Sequence, residues 1–181
     1  TPTALDHLRE KGVSAAFFLV GTMLTLRPAT VLREMEEGHV IASHSFSHPD
    51  MTTLTDTSLY AEVADTEQSL TNIMCVRPKI FRPPFGALLP DQLDMVKNMG
   101  YVLVNWNLDS EDWRISSSAP EAFMQLILSQ IDLLTPGSII HLQHDLLLSS
   151  VDSIPDIIDM VRLRGYNFVS LYECVFGANY T

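Results

Sequence analysis

The sequence predicts an α/β fold in which parallel strands lie beside helices. Short apolar runs alternate with longer segments whose apolar residues recur at helical spacing, and the connections between them are short. Histidines, an arginine and aspartates are concentrated directly after apolar runs, where α/β proteins place ligands and catalytic groups. This alternation indicates a parallel sheet covered by helices, but it does not distinguish a closed barrel from an open doubly wound sheet.

The sequence of residues 1–43 predicts two helices, each followed by a strand. Residues 1–12 form a helix with a proline in its first turn and a glycine at its end, and residues 13–20 are a nearly continuous apolar run typical of a buried parallel strand. A second amphipathic helix covers residues 28–37, and a short apolar strand covers residues 38–43.

The rest of the chain continues the alternation. We expect helices at 57–74, 90–99, 118–133 and 154–164, and strands at 79–81, 101–106 and 167–171. Thr55 or Asp56 caps the first of these helices, and Ser118 with Glu121 matches a capping box for the third. Residues 82–86 contain two consecutive prolines and are therefore a rigid loop.

Two histidines, His44 and His48, follow the strand at 38–43 and are four residues apart. If this segment is a helical turn, both imidazoles lie on one face and can point at one ion. The alternative is a pair of loop histidines that lie at the surface or just outside a set of ligands. The spacing alone does not choose between the two, because a short motif needs its structural context.

Composition indicates one globular domain over residues 1–181, with 46% hydrophobic and 18% charged residues. The formal net charge of -11 argues against nucleic acid or an anionic membrane as the partner. No apolar run reaches the roughly 18 residues that a membrane-spanning helix needs.

Cys75 and Cys174 could pair with each other, stay free or bond to a cysteine outside this chain. The sequon Asn179-Tyr180-Thr181 is compatible with secretion.

Four motifs in order resemble those of the polysaccharide deacetylase family, also called the NodB-homology or carbohydrate esterase 4 family. The motifs are His44-Ser-Phe-Ser-His48 for H-[ST]-x-x-x-H, Arg82-Pro-Pro-Phe85 for R-x-P-[YF], Asp109-Ser-Glu-Asp112-Trp113 for D-x-x-D-W and Leu142-Gln-His144 for L-x-H. Each is a weak pattern alone, but four in the right order are specific. The resemblance implies a distorted (β/α) barrel that hydrolyses acetyl groups from sugars.

The resemblance also implies a role for each motif residue. His44 and His48 would bind a divalent metal, expected to be zinc, which would polarise the acetyl carbonyl and activate a water. His144 would be the general acid, and Asp112 would hold it charged and oriented, with Asp109 as an open second candidate. Arg82 would position the catalytic base.

The remaining motif residues would contact the substrate. The backbone N–H of Phe85 would stabilise the oxyanion, which the preceding prolines cannot do, and Trp113 and Leu142 would line the sugar and acetyl pocket. Each of these site residues also has an ordinary structural interpretation, as a loop, capping or core residue. His39 and His141 match no ligand position of the family, and we interpret them as structural.

The family's first motif, T-F-D-D-G, is absent from the 181 residues, although its aspartates supply the base and the third metal ligand. We expect that motif, with the first barrel strand, to lie upstream of Thr1; the alternative is a degenerate relative. The ending around Cys174 resembles fungal-type chitin deacetylases, which implies a partner cysteine near the missing segment and a free Cys75.

These inferences predict a secreted or wall-associated, monomeric deacetylase of N-acetylglucosamine polymers such as chitin. Two alternatives stay open. One is a non-catalytic relative that binds a glycan or serves in the wall, and the other is a deacetylase of peptidoglycan or acetylxylan.

Overall fold

The computed structural model describes residues 1–114, 120–134 and 137–177. The predicted cap residue Ser118, the side chain of Glu121 and the 179–181 sequon lie outside the described part of the chain. The chain divides into two compact units, which we treat separately. The two-stranded unit comprises Thr1–Val13 and Trp106–Phe168, and the four-stranded unit comprises Ser14–Asn105 and Val169–Thr181.

Helices and strands alternate along the described residues. The helices are α1 (Pro2–Lys11), α2 (Gly21–Leu24), α3 (Pro28–Glu36), α4 (Asp56–Met74), α5 (Pro90–Asn98), α6 (Pro120–Leu134), α7 (Leu148–Asp152), α8 (Ile154–Leu163) and α9 (Leu171–Phe176). The strands are β1 (Ala16–Leu19), β2 (Val40–Ser43), β3 (Ile80–Phe81), β4 (Val102–Leu103), β5 (Leu108–Asp109) and β6 (His141–Leu142). Short 3₁₀ turns cover Met51–Thr53 and Pro84–Gly86.

The four-stranded unit is built on a parallel sheet in the order β1-β2-β3-β4. Every residue of β2 is buried, as expected for an inner parallel strand. Helix α4 packs on the sheet because its buried residues recur every three or four positions; they are Leu59, Val63, Thr66, Leu70 and Met74. The side chain of Thr55 caps this helix by accepting a hydrogen bond from the Ser58 N–H.

The two-stranded unit contains the parallel pair β5 and β6, in which Leu108 pairs with His141 and Asp109 with Leu142. Its core joins β5 to helices α6 and α8, and the buried members are Leu108, Phe123, Ile127, Ile131 and Ile157. Helix α1 packs against α7 and α8. Strand β5 is thus packed on the helices α6 and α8 through Leu108.

Most predicted elements are present with small shifts of their ends, but one predicted strand is wrong and several elements are missing from the prediction. The missing elements, all short, are α2, β5, β6, α7 and α9. The predicted strand at 167–171 is wrong: no strand pairing occurs there, and Ser170 instead accepts a hydrogen bond from the Glu173 N–H and begins α9. Among the described helices, none combines the length and apolarity that crossing a bilayer requires.

Candidate active site

The first cluster of predicted site residues lies in the four-stranded unit, where β2 ends. His44 directly follows β2, and its backbone N–H donates to the carbonyl of Leu19 at 3.0 Å. Its Nδ1 lies 2.6 Å from the carbonyl oxygen of Arg82. A carbonyl oxygen only accepts, so Nδ1 carries the proton and Nε2 carries the lone pair in the neutral ring. This is the tautomer that a metal ligand needs.

The segment from His44 to His48 is a loop, and the helical turn considered from its spacing is wrong. Ser45 and His48 have φ angles of 63° and 59°, in the left-handed region, and the Ser45 hydroxyl accepts from the His48 N–H at 3.0 Å. The two imidazole rings are nevertheless neighbours, with centroids 4.8 Å apart at an angle of 76°. The loop brings the histidines together by a different geometry.

Glu62 of α4 holds this loop in place, and the sequence analysis did not identify it. Its Oε2 accepts from the backbone N–H groups of Phe46 and Ser47, both at 2.8 Å. Its Oε1 accepts from the Ser47 hydroxyl at 2.6 Å. Charge-assisted bonds of this kind are about twice as strong as neutral ones. A glutamate in mid-helix gives no sequence signal of this contact.

Gly21 supports the loop from the opposite side. Its N–H donates to the Ser45 carbonyl at 3.0 Å, and the neighbouring Thr22 N–H donates to the Phe46 carbonyl at 2.8 Å. A Cβ at position 21 would lie 2.9 Å from the Phe46 Cα and 2.3 Å from its ring. Only glycine permits this close approach.

The histidine pair fits a divalent metal by its chemistry. Neutral imidazoles suit zinc, and the His44 ring is oriented by a backbone carbonyl as metal-bound histidines usually are. Within residues 1–114, 120–134 and 137–177, no third histidine, cysteine, aspartate or glutamate completes a group that could hold a metal. Two imidazoles alone are fewer than the three protein ligands of a typical catalytic zinc site.

Arg82 and Phe85 flank the histidines. The Arg82 guanidinium lies over the ring of Phe18, with its carbon 4.1 Å from the ring centroid, a cation–π contact. Phe85 has a φ of 57° and is 68% exposed, and its ring centroid lies 5.1 Å from that of His48. The proline-rich segment is thus the rigid loop that the sequence predicts, tightened by a 3₁₀ turn.

The second cluster lies in the two-stranded unit and joins Asp112 to His144. The Nδ1–H of His144 donates to Asp112 Oδ1 at 2.6 Å, and the His144 backbone N–H donates to Oδ2 at 2.7 Å. Ser150, another residue not identified from the sequence, donates its hydroxyl to Oδ2 at 2.6 Å. The side chain of Asp112 is 2% exposed, whereas that of His144 is 37% exposed.

Asp109, the alternative partner of His144, is engaged elsewhere. Its carboxylate accepts from Trp106 Nε1 at 3.0 Å and from the Glu111 N–H at 2.8 Å. The side chain of Gln130 bonds both its backbone N–H, at 3.0 Å, and its carbonyl, at 2.6 Å. The geometry therefore pairs Asp112 with His144 and gives Asp109 a local role in the loop.

Two titratable groups of this unit have shifted pKa values. Burial alone would raise the pKa of Asp112, but the hydrogen bonds from His144 and Ser150 outweigh it and lower that pKa below its usual range. Burial lowers the pKa of His141 to about 4, although Asp112 and Asp109 oppose the shift. The Nε2 atom of His141 is buried and makes no hydrogen bond to any described residue.

The remaining residues singled out from the sequence differ in their exposure to solvent. Trp113 is 64% exposed, and Leu142 is buried within β6. His39 is buried, and its Nδ1 accepts from the Ala15 N–H at 3.1 Å, in keeping with its structural interpretation. Cys75 and Cys174 are both exposed free thiols.

Comparison with known proteins finds similarity along most of the chain. A family model described as "Polysaccharide deacetylase" matches residues 1–104. A peptidoglycan-N-acetylglucosamine deacetylase of Bacillus cereus is 34% identical over 94% of this chain and 62% of that protein. Chitin deacetylase 1 of Cryptococcus neoformans var. grubii is 32% identical over 97% of this chain and 41% of that protein. The chain thus spans less than two thirds of either relative.

Solved structures show the same similarity in three dimensions. The Bc1960 peptidoglycan N-acetylglucosamine deacetylase, in complex with 4-naphthalen-1-yl-N-oxidanyl-benzamide, has a TM-score of 0.88 at 30% identity, covering 99% of this chain and 83% of that one. A family 4 carbohydrate esterase from Streptomyces lividans, in complex with acetate, has a TM-score of 0.81 at 28% identity, covering 94% and 84%. These similarities confirm the fold predicted from the sequence.

Proposed function

Because this chain belongs to the polysaccharide deacetylase family, we propose that it hydrolyses the acetamide of N-acetylglucosamine units in a cell-wall polysaccharide. Water adds to the acetyl carbonyl, the C–N bond breaks, and acetate and a free sugar amine leave. The proposal places the protein, acting as a monomer, outside the cell or at the wall, where such a polymer is found.

The observation that carries the proposal is the 2.6 Å contact between His144 Nδ1 and Asp112 Oδ1. A buried, ionised carboxylate only accepts, so it keeps a proton on the His144 Nδ1 and leaves Nε2 as the nitrogen that can exchange a proton with the substrate. His144 Nε2 is then the nitrogen that delivers a proton to the leaving amine. A departing amine is a poor leaving group unless it is protonated, so a general acid is the group that this reaction needs.

His44 and His48 are the residues that we propose as metal ligands, and zinc suits their chemistry. A bound zinc would supply Lewis-acid polarisation of the carbonyl and a lowered pKa for water. The protein's own contribution is the tautomer: the Arg82 carbonyl holds the His44 proton on Nδ1. The family resemblance assigns the catalytic base and a further ligand to a motif that the 181 residues do not contain.

Arg82 and Phe85 complete the proposed set on the four-stranded unit. Phe18 and the proline-rich loop restrain the Arg82 side chain, which we propose positions the catalytic base as a permanent cation. The Phe85 N–H is the backbone donor proposed for the oxyanion. On the two-stranded unit, Trp113 and Leu142 are proposed to contact the sugar and the acetyl group.

The choice of polymer follows from what the relatives share. The names of two bacterial relatives specify the N-acetylglucosamine of peptidoglycan, and that of the fungal relative specifies chitin, a polymer of N-acetylglucosamine. This shared unit supports N-acetylglucosamine as the sugar that this chain recognises, although two further bacterial relatives are named as N-acetylmuramic acid deacetylases. Chitin-type oligomers and peptidoglycan are therefore the two substrates to compare.

The test is to measure acetate release from chitin oligosaccharides and from peptidoglycan, with and without added zinc. The assay uses the full-length gene product. We expect release that His144→Ala lowers about 10²- to 10⁴-fold, because a general acid contributes that factor. His48→Ala should abolish the response to zinc. His7→Ala, on helix α1, is the matched control and should leave the rate unchanged.

Two results would contradict the proposal. One is no acetate from any N-acetylglucosamine polymer while the protein still binds the glycan, which would favour the non-catalytic relative. The other is release that is unchanged in both His144→Ala and His48→Ala, which would move the chemistry to other residues.

A further inference from the structure

We propose that Ser150 is a positioning residue. Its hydroxyl fixes the rotation of the Asp112 carboxylate, and the carboxylate in turn orients the His144 ring. The inference rests on the proposed function, in which His144 is the general acid. Ser150 lies on helix α7 and is 3% exposed. It belongs to none of the sequence motifs, and it touches His144 only through Asp112.

The hydrogen-bond directions around Asp112 follow from the chemistry of its partners. The ionised carboxylate only accepts, so the Ser150 proton points at Oδ2, 2.6 Å away. The same oxygen accepts from the His144 backbone N–H at 2.7 Å, and Oδ1 accepts from the His144 ring at 2.6 Å. Rotation of the carboxylate about its Cβ–Cγ bond would break all three bonds together.

Gln143 prevents the Ser150 hydroxyl from turning away. Its Nε2 donates to the Ser150 carbonyl at 2.8 Å and to the Ser150 Oγ at 3.0 Å, with the Ser153 Oγ more distant at 3.3 Å. The Ser150 Oγ therefore accepts a hydrogen bond from Gln143 and donates its own to Asp112. The result is a connected hydrogen-bond network, the Gln143 relay, in which Gln143 donates to Ser150, Ser150 donates to Asp112, and Asp112 accepts from His144.

The relay matters because Asp112 is buried and His144 is partly exposed. A carboxylate in a desolvated position stays ionised only if hydrogen bonds compensate the lost water. The titratable side chains that interact with Asp112 are His144 and His141, and the Nε2 of His141 makes no hydrogen bond to any described residue. Two neutral donors, the Ser150 hydroxyl and the His144 backbone N–H, support the charge of Asp112, and Ser150 is the one of them that a side-chain substitution can remove.

The experiment compares Ser150→Ala and Ser150→Cys with the matched control Ser149→Ala, an exposed serine of the same helix. NMR titration of the side-chain carboxyl carbon measures the pKa of Asp112, and a second spectrum measures solvent exchange of the His144 Nδ1 proton. In Ser150→Ala, the Asp112 pKa should rise by about one pH unit, the size of one lost hydrogen bond to a charge. Proton exchange should accelerate about tenfold. Ser150→Cys, a weak donor of similar shape, should change both quantities in the same direction.

Acetate release provides the third measurement. Ser150→Ala should lower kcat about tenfold with KM unchanged, because the lost orientation matters in the transition state. The proposal is overturned if the Asp112 pKa and the proton exchange match those of Ser149→Ala, or if both change while kcat does not. If the unaltered protein releases no acetate, the proposed function fails, and the two NMR quantities alone decide whether Ser150 positions the pair.

Discussion

The side chain of Asp112 and the ring of His144 are joined by two contacts that use both carboxylate oxygens, one to the ring Nδ1 and one to the backbone N–H of the same residue. The two residues are 32 positions apart in sequence, so the fold brings them together rather than a local turn. Parallel pairing of β5 and β6 does this, since both residues follow the carboxyl end of a strand in that pair. The pair is therefore held from the backbone as well as from the side chains.

The two aspartates of the D-x-x-D-W motif should respond differently to the same substitution. We expect Asp112→Asn to lower kcat about 10²-fold or more, because the amide accepts more weakly from the His144 Nδ1–H and no longer fixes the orientation of the ring. Asp109→Asn should change kcat less than about threefold, because its carboxylate accepts from Trp106 and Glu111 rather than from His144. Steady-state acetate release measures both. Equal losses in the two variants would mean that Asp109 also acts on His144.

Asp112 should also make folding stability depend on pH at the acid end. Its pKa is lowered in the folded protein, so its contribution to stability is present above its unfolded pKa, near 3.9, and is lost as pH falls through the folded pKa. The difference in free energy of unfolding between the wild type and Asp112→Asn should therefore shrink below about pH 4. Urea unfolding at a series of pH values tests this, and a difference that grows on acidification would contradict it.

Glu62 should act on the histidine loop mainly by its position, with its charge strengthening the bonds. Glu62→Gln keeps one oxygen for the Phe46 and Ser47 N–H groups and places a donor beside the Ser47 hydroxyl, so we expect a clearly smaller loss of stability than in Glu62→Ala. Glu62→Ala leaves these groups without that acceptor and should lower the free energy of unfolding by about 1–3 kcal/mol. It should also speed hydrogen exchange of the two backbone amides.

The matched control for Glu62 is Asp65→Ala, which removes an exposed carboxylate one turn along the same helix. Its unfolding and amide exchange should match those of the wild type. If Glu62→Gln is as damaging as Glu62→Ala, the negative charge itself supports the loop, and the positional account is wrong.

Gly21 should not tolerate even alanine. The added Cβ would meet the Cα and ring of Phe46 at distances that atoms do not adopt, so the backbone of the histidine loop would have to move. We expect a loss of about 1–3 kcal/mol of unfolding free energy, measured by urea denaturation. Thr22→Ala, at the exposed next position, is the control. Equal stability of Gly21→Ala and the wild type would show that the loop moves freely.

The sequence predicts the parts of this protein that depend on local chemistry. The apolar runs predict β1 and β2, and helical spacing with a Thr55 cap predicts α4 to within a residue at its start. The sequence predicts that His44 and His48 lie close together if their segment is a helical turn. They do lie close together, but in a loop, because residue spacing does not reveal the left-handed backbone at Ser45 and His48.

The contacts that orient the site could not be predicted, because they join distant segments. Glu62 and Ser150 are ordinary polar residues of helices, and only the packing of those helices brings them to Phe46 and Asp112. The choice between Asp112 and Asp109 as the partner of His144 also depends on contacts between distant segments. Asp109 is the last residue of β5 and Asp112 follows three residues later, and the positions of Gln130 on α6 and Ser150 on α7 separate their roles.

His141 should make the protein less stable in mild acid. Its pKa is lowered to about 4 in the folded protein by burial, whereas the unfolded chain binds the proton near pH 6.5. Between these values the unfolded state holds more protons, so the free energy of unfolding should fall as pH drops from about 6.5 to 4. His141→Leu cannot take up that proton in either state and should flatten this part of the profile, whereas His7→Leu should not. The measurement is the urea midpoint at pH 7 and at pH 4.5. An unaltered slope in His141→Leu would mean that another group, rather than this buried imidazole, controls stability in that range.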